Sequence, residues 1–172
     1  MFKTTEAMRF FAAWQTLRTR DELPHYRTVF QGIPNDLLPQ LLIIEHVSDD
    51  AYTVRFMGTR TAEFWGQDLT GQDCFAAVSP RIATAGRRNL RTVLSHPCGI
   101  VTWGLFTLKS RGEIGMENVI LPVSNDPGKP LRILGFGQEM RPPLPEGDDR
   151  PDMAQRRWID LGFGVPAAKP AQ

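Results

Sequence analysis

Apolar and polar positions along the chain change period several times, and each change marks an element. Over residues 5–20, Ala7, Phe10, Phe11, Trp14 and Leu17 recur at helical spacing, with Glu6, Arg9, Gln15 and Arg18 on the other side. The pattern predicts an amphipathic helix of three to four turns, capped by Thr4 or Thr5. Two phenylalanines and a tryptophan on one stripe are too much apolar surface to leave in water, so this helix docks on the core or against a second copy. Leu23 and Pro24 end it, and the stretch from His25 to Pro39, broken by Gly32 and Pro34, reads as turns with one helical turn at most.

Leu41 to Val47 is a nearly continuous apolar run, and Tyr52, Val54 and Phe56 then alternate with Thr53, Arg55 and Met57. Joined by the polar Ser48 to Asp50, the two runs predict an antiparallel hairpin, with Arg55 within reach of Glu45 for a cross-strand ion pair. Gly58 stops the alternation. Thr59 to Trp65 then takes helical spacing and Gly66 closes it, giving a helix of about two turns that must borrow its stability from packing. Asp68, Thr70 and Gly71 supply turn chemistry, and Ser79 before Pro80 starts a longer helix running to Ser95. Its apolar face carries Ile82, Leu90, Val93 and Leu94, while Arg81, Arg87, Arg88 and Arg91 lie off that face. The arginines suit a solvated surface, an anion or an acidic partner, and the first is the plain reading.

From Cys98 the period returns to two, with strands at 99–109, 114–123 and 131–140 separated by SRGE and SNDPGKP. Gly104, Gly115, Gly135 and Gly137 within them predict a strongly curved sheet. The elements add up to an α+β fold: a five-stranded antiparallel sheet with helices on one face, plus the amphipathic N-terminal helix. Beyond Met140, RPPLPEGDDRP reads as a linker, Asp152 to Leu161 as a short helix stopped by Gly162, and VPAAKPAQ as an unordered end. Three segments result: residues 1–22, a domain at 23–140, and a tail at 141–172.

Composition narrows the function. A chain of 172 residues buries enough surface to need neither disulfide nor metal. Twenty Lys and Arg against nineteen Asp and Glu leave a charge of +1, so no global field points to nucleic acid or an anionic membrane. Cys74 and Cys98 lack CxxC spacing, which predicts a reducing compartment and small-apolar behaviour. With no apolar run of the roughly 20 residues a membrane helix needs and no signal-peptide pattern, the expectation is a cytoplasmic protein.

The stretch LPQLLIIEHV followed by YTVRFMGTRTAEFWGQDLTGQ resembles the PAS domain, and within it a bacterial subfamily found largely as single-domain proteins in alphaproteobacteria. The resemblance rests on Arg55, Gly58 and Thr59 at a strand end, and on Gly66 and Asp68 to Gly71 closing the next helix. It extends over roughly residues 6–140 and does not reach the tail. It implies a sensory or regulatory module without its own output domain, not an enzyme, that binds a small molecule, a partner, or both. Homodimerisation through the N-terminal helix and a signalling-protein partner are the expected interactions.

Phe56, Phe64, Trp65, Phe75, Trp103 and Phe136, with Phe106, are the aromatic residues that would line the space between sheet and helices. They either surround a small apolar or aromatic ligand or fill a solid core, and the sequence leaves both open. Asn118 is the polar candidate, since a buried amide needs a partner, and Glu117 beside it is then expected to face solvent. His25, His46 and His96 are scattered, with no spacing that marks a metal or haem site. No nucleophile elbow, carboxylate pair or phosphate loop marks an active site, and no cofactor is specified. A small α+β pocket enzyme and a haem sensor are the alternatives.

Overall fold

Thr4 and Glu117 set how the chain is layered. The computed structural model describes residues 2–19, 22–48, 50–108, 112–140 and 155–167. The N-terminal helix, α1, runs Thr5–Thr16, with the Thr4 hydroxyl accepting from the Ala7 amide as N-cap. It stops at Thr16, one turn short of the pattern's reach, because Leu17 serves as its C-cap. A short turn of helix, α2 (Val29–Gly32), and a 3-10 turn at Leu38–Gln40 lead into the sheet.

The hairpin forms where the alternation places it, as β1 (Leu41–Ser48) and β2 (Ala51–Met57). Opposite Ile43 and Ile44 stand Phe56 and Val54, so Arg55 is the extra residue of a bulge. Its guanidinium turns to Glu45, which also accepts from Arg132 at 3.1 Å, as the ion pair expected from the sequence. α3 (Thr59–Trp65) and α4 (Pro80–Ser95) follow within the expected bounds, α3 ending on Gly66 at φ 74° and α4 starting under the Ser79 cap.

β3 (Gly99–Leu108), β4 (Gly112–Val123) and β5 (Arg132–Glu139) then form a meander. The tail departs from expectation. Gln155–Ile159 is not a helix but a strand, β6, which pairs antiparallel with the outer edge of β3. The sheet therefore has six strands, ordered β2-β1-β5-β4-β3-β6. A helix of the ten residues expected from Asp152 to Leu161 is marginal without packing, whereas the free edge of β3 offers ready backbone partners. The linker at 141–151, its neighbour Asp152 and the end of the tail lie outside the described residues.

Both faces of the sheet are covered. On one face lie Leu41, Ile43, Val101, Trp103, Val119, Leu121, Leu134 and Phe136, and α1 presses fully buried Ala7, Phe10 and Trp14 onto them. The Phe10 and Phe136 rings stack at 4.8 Å. Burying two such rings stabilises by about 1.5–3 kcal/mol each, enough to hold a three-turn helix that would not persist alone. α3 and α4 cover the other face.

Glu117 belongs to the α1 face, with none of its surface exposed, where the sequence placed it in solvent. Its carboxylate accepts from the amides of Lys3 and Thr4, both at 2.7 Å, and from the Thr4 hydroxyl at 2.8 Å. It thus ties the start of α1 to the middle of the sheet, where the helix dipole favours negative charge. Glu117→Gln should destabilise the protein by about 2–3 kcal/mol, since its amide turns an N–H toward a group that is itself a donor. Chemical denaturation measures the loss, and a change below about 0.5 kcal/mol would mean that the contact is not holding the helix.

Candidate functional site

On the face opposite α1 the cover is incomplete. The floor there is Leu42 and Ile44 from β1, Ile133 and Gly135 from β5, Asn118 and Ile120 from β4, and Thr102 from β3. Above it stand Thr61, Phe64 and Trp65 of α3, Cys74, Phe75 and Val78 of the following loop, and Ile82, Gly86, Asn89 and Leu90 of α4. Together they border a cavity of about 1090 Å³ that is open to solvent on one side. The space is not filled by the aromatic residues that border it.

Three local devices hold the cover in place. Gly58 brings α3 against the preceding turn so closely that a Cβ there would stand 2.3 Å from the Pro39 carbonyl oxygen. Gly86 does the same for α4, since a Cβ would lie 2.2 Å from the Phe75 ring. Arg87 of α4 lies over that ring at 4.8 Å, pairs with Asp73, and donates to the Asp50 carbonyl at 3.0 Å. Arg91 pairs with the Asp50 carboxylate at 2.9 Å. These two arginines thus clamp the loop and the hairpin tip to α4, while Arg81 and Arg88 border the cavity.

The residues singled out in the sequence divide between the two faces. Phe64, Trp65, Phe75 and Asn118 line the cavity, as does Phe106. Trp103 and Phe56 do not: Trp103 lies in the α1 layer under the Lys3 ammonium at 5.1 Å, and Phe56 packs edge-on against Phe30 at 4.9 Å. Phe136 borders the cavity only between Gly135 and Gly137, while its ring lies in the α1 layer against Phe10. Strand alternation accounts for Trp103 and Phe136, whereas Phe56 is turned to the α1 side by the bulge at Arg55, since Tyr52 and Val54, at the same parity, lie in the α3–α4 layer.

The reading from sequence missed Thr102, 6% exposed, and Gln40, 3% exposed, both polar and both at the cavity. A threonine in an apolar strand run was the available signal for the first. Gln40 donates its amide to the Gln138 side chain, whose own amide donates to the Glu139 carbonyl at 3.2 Å.

His25 bridges toward Asp126 at 3.5 Å, His46 packs on Tyr52 at 5.0 Å, and the His96 ring stands at the space beside Gly164. None of the three is among the cavity residues. Among the described residues, no three His, Cys, Asp or Glu side chains are grouped to hold a metal ion. No helix is long and apolar enough to cross a membrane, again among the described residues.

Cys74 is the thiol at the cavity, and burial pushes its pKa far above the ordinary value. Burial pushes the Cys98 thiol up as well, to about 11. Both are held as neutral thiols, poor nucleophiles near neutrality.

A family model described as "PAS domain" matches residues 2–138. No curated protein sequence matches the chain. Among solved structures, the Vibrio cholerae VqmA dimer, described among LuxR-type receptors and solved in the absence of its target DNA, superposes with a TM-score of 0.50 at 15% identity. That match covers 67% of this chain and 52% of VqmA. A structure of VqmA bound to DPO gives the same TM-score and identity, over 67% of this chain and 56% of that one. A Rhodobacter sphaeroides LOV protein matches at a TM-score of 0.48 and 14% identity, over 59% of each chain. The chain thus spans little more than half the length of these structures, and what it shares with VqmA is the fold.

The state of the thiols is directly measurable. In the folded protein at pH 8 neither cysteine should react with a thiol reagent on the timescale on which both react in urea. Because the folded-state values are raised, this contribution to stability is complete below about pH 9 and is lost as pH rises through 11. Denaturation midpoints should therefore fall across that window. Fast labelling of the native protein at pH 8 would show that the cover does not exclude solvent from Cys74.

Proposed function

The chain belongs to the PAS domain family, and from that premise we propose that it senses a small molecule held between its sheet and α3–α4 and passes occupancy on to a partner protein. The observation that carries this reading is the cavity of about 1090 Å³ beneath a cover made of a seven-residue helix, a loop and one face of α4. Cavities of a few hundred to about a thousand Å³ suit drug-sized ligands. An α-helix of two turns has little stability of its own, so a ligand that packs under it changes the balance between positions of the cover. VqmA, which shares the fold, has been solved bound to DPO, and this supports the general reading without specifying the ligand here.

An enzyme or a haem sensor would place a reactive or ligating side chain at the cavity. The thiol at the cavity is held protonated, the three histidines stand elsewhere, and the bordering carboxylates, Glu6, Glu63 and Glu139, are spread over three separate elements. The sensory reading is therefore preferred.

Occupancy has a simple test. A Cβ added at Gly135 meets Leu42 only at 3.5 Å, an ordinary contact, and the strand there does not need a positive φ. Gly135→Leu should thus project into the cavity without breaking the fold. Native mass spectrometry of the freshly purified protein is expected to show a retained small molecule that this variant lacks, at an unchanged melting temperature. A bare mass for the unaltered protein, in lysate-fresh and dialysed samples alike, would count against a resident ligand, and absorbance of the same sample tests for haem.

The homodimer is the second part of the proposal. The apolar stripe of α1 is spent on its own sheet, so a second copy docking on this helix meets the outward side, where Met8 is 53% exposed. Met8→Arg should convert a dimeric mass in light scattering to a monomeric one while leaving the melting temperature in place. A monomeric mass before substitution, or a dimer that survives it, would remove α1 from that role.

A further inference from the structure

The cavity is not uniformly apolar, and three of the polar groups that border it fall in one line across the sheet. Across the sheet, Arg156 of β6 stands opposite Thr102 of β3, Thr102 opposite Asn118 of β4, and Asn118 opposite Gly137 of β5. All four border the cavity. Neighbouring strands lie about 4.8 Å apart, so a guanidinium, a hydroxyl and an amide follow one another along one row of the floor.

Each of the three has unused capacity. Thr102 is 6% exposed, and its hydroxyl has no hydrogen-bond partner among the described residues. The same holds for the Asn118 amide. A Cβ at Gly137 would stand 3.2 Å from the Asn118 side-chain oxygen, so the glycine leaves the space beside that amide open. The Arg156 guanidinium donates from Nη1 to the Asn89 side-chain oxygen of α4 at 3.1 Å and lies 5.8 Å from the centre of the Trp158 ring. Both contacts orient it and neither neutralises it, since among the described residues no carboxylate pairs with it. The acids that border the cavity, Glu6, Glu63 and Glu139, come from α1, α3 and the end of β5 rather than from β6, β3 or α4.

A hydroxyl and a half-buried amide on the cavity wall have hydrogen-bonding capacity to offer a ligand, and a guanidinium offers a planar pair of donors that matches a carboxylate. At the other end the lining is Leu42, Ile44, Ile120 and Ile133 below and Phe64 and Trp65 above. We propose that the cavity's ligand is an apolar molecule with a carboxylate head, the head held by Arg156, Thr102 and Asn118 and the apolar body lying toward β1 and α3. This rests on the small-molecule reading of the cavity and specifies it. Arg156 lies beyond the residues that match the PAS family model, so the anion-recognising side chain is supplied by the added strand β6.

Decanoate and decanol share a body and differ in the head, which makes them suitable probes for calorimetric titration of the full chain. Decanoate should bind at least about tenfold more tightly than decanol, a difference of about 1.4 kcal/mol. Arg156→Gln and Thr102→Val should each shrink that ratio severalfold, and Arg156→Lys should keep part of it, while decanol affinity stays constant throughout. Melting temperatures of the variants should match the unaltered protein, because Arg156 is exposed and valine is close in shape to threonine. Equal affinity for the two probes, or a preference that Arg156→Gln leaves intact, overturns the head-group assignment while the cavity reading stands. Failure of both probes to bind overturns the apolar-body reading itself.

Discussion

A sheet covered on both faces has to account for every polar side chain in its central strands, and β4 meets that demand in two opposite ways at adjacent positions. Glu117 points to the α1 face and is satisfied within the chain, by two amides and a hydroxyl at the start of the helix. Asn118 points to the other face, where nothing described in the chain completes it. A buried carboxylate without partners would be prohibitive, so α1 cannot sit elsewhere without a large cost. An amide at a cavity is cheaper to leave to an incoming molecule. The first residue therefore fixes architecture, and the second leaves room for recognition.

The two faces also divide the mechanical roles. The α1 layer is closely packed, with Phe10, Trp14 and Phe136 fully or almost fully buried and two rings stacked. The α3 and α4 layer is held at its borders instead, by the close approach of Gly58 and Gly86 and by the arginine clamps on Asp50 and Asp73. A layer fixed at its margins around a hollow centre can change its packing without unfolding the sheet beneath it. Such a separation suits a sensory family, since a change in the cover need not be paid in global stability.

Much of this was legible in the sequence because it is local. The period-two run of β2, the break at Gly58, the cap of Ser79 and the turn at Gly66 each depend on a few adjacent residues, and each lies where the pattern put it. What could not be read was which face of the sheet meets which cover. Both faces are apolar, so alternation shows that Phe136 and Gly135 point opposite ways but not which of them points to the cavity. For the same reason Trp103 was grouped with Phe64 and Phe75, and Glu117 was sent to solvent, while Phe56 was misplaced because the bulge at Arg55 reverses the alternation after Val54. The tail failed differently. Trp158, Ile159 and Leu161 are compatible with either period over so short a stretch, and the decision for a strand is made by the open edge of β3, a contact between distant parts of the chain.

That edge is also where specificity can be added at least cost. β6 attaches through backbone hydrogen bonds to a strand that the rest of the fold already supports, so its side chains are constrained by pairing rather than by the core. Arg157 and Arg156 alternate across it, and only the second of these borders the cavity and meets Asn89. Replacing the residue at position 156 would alter the charge at one end of the cavity without disturbing Leu42, Ile44 or Ile133 at the other. The fold, the apolar lining, Thr102 and Asn118 thus come from the PAS core, whereas the charge at the polar end, Arg156, comes from a segment outside it. Two chains with the same core and different edge strands would be expected to distinguish ligands by head group while accepting similar bodies.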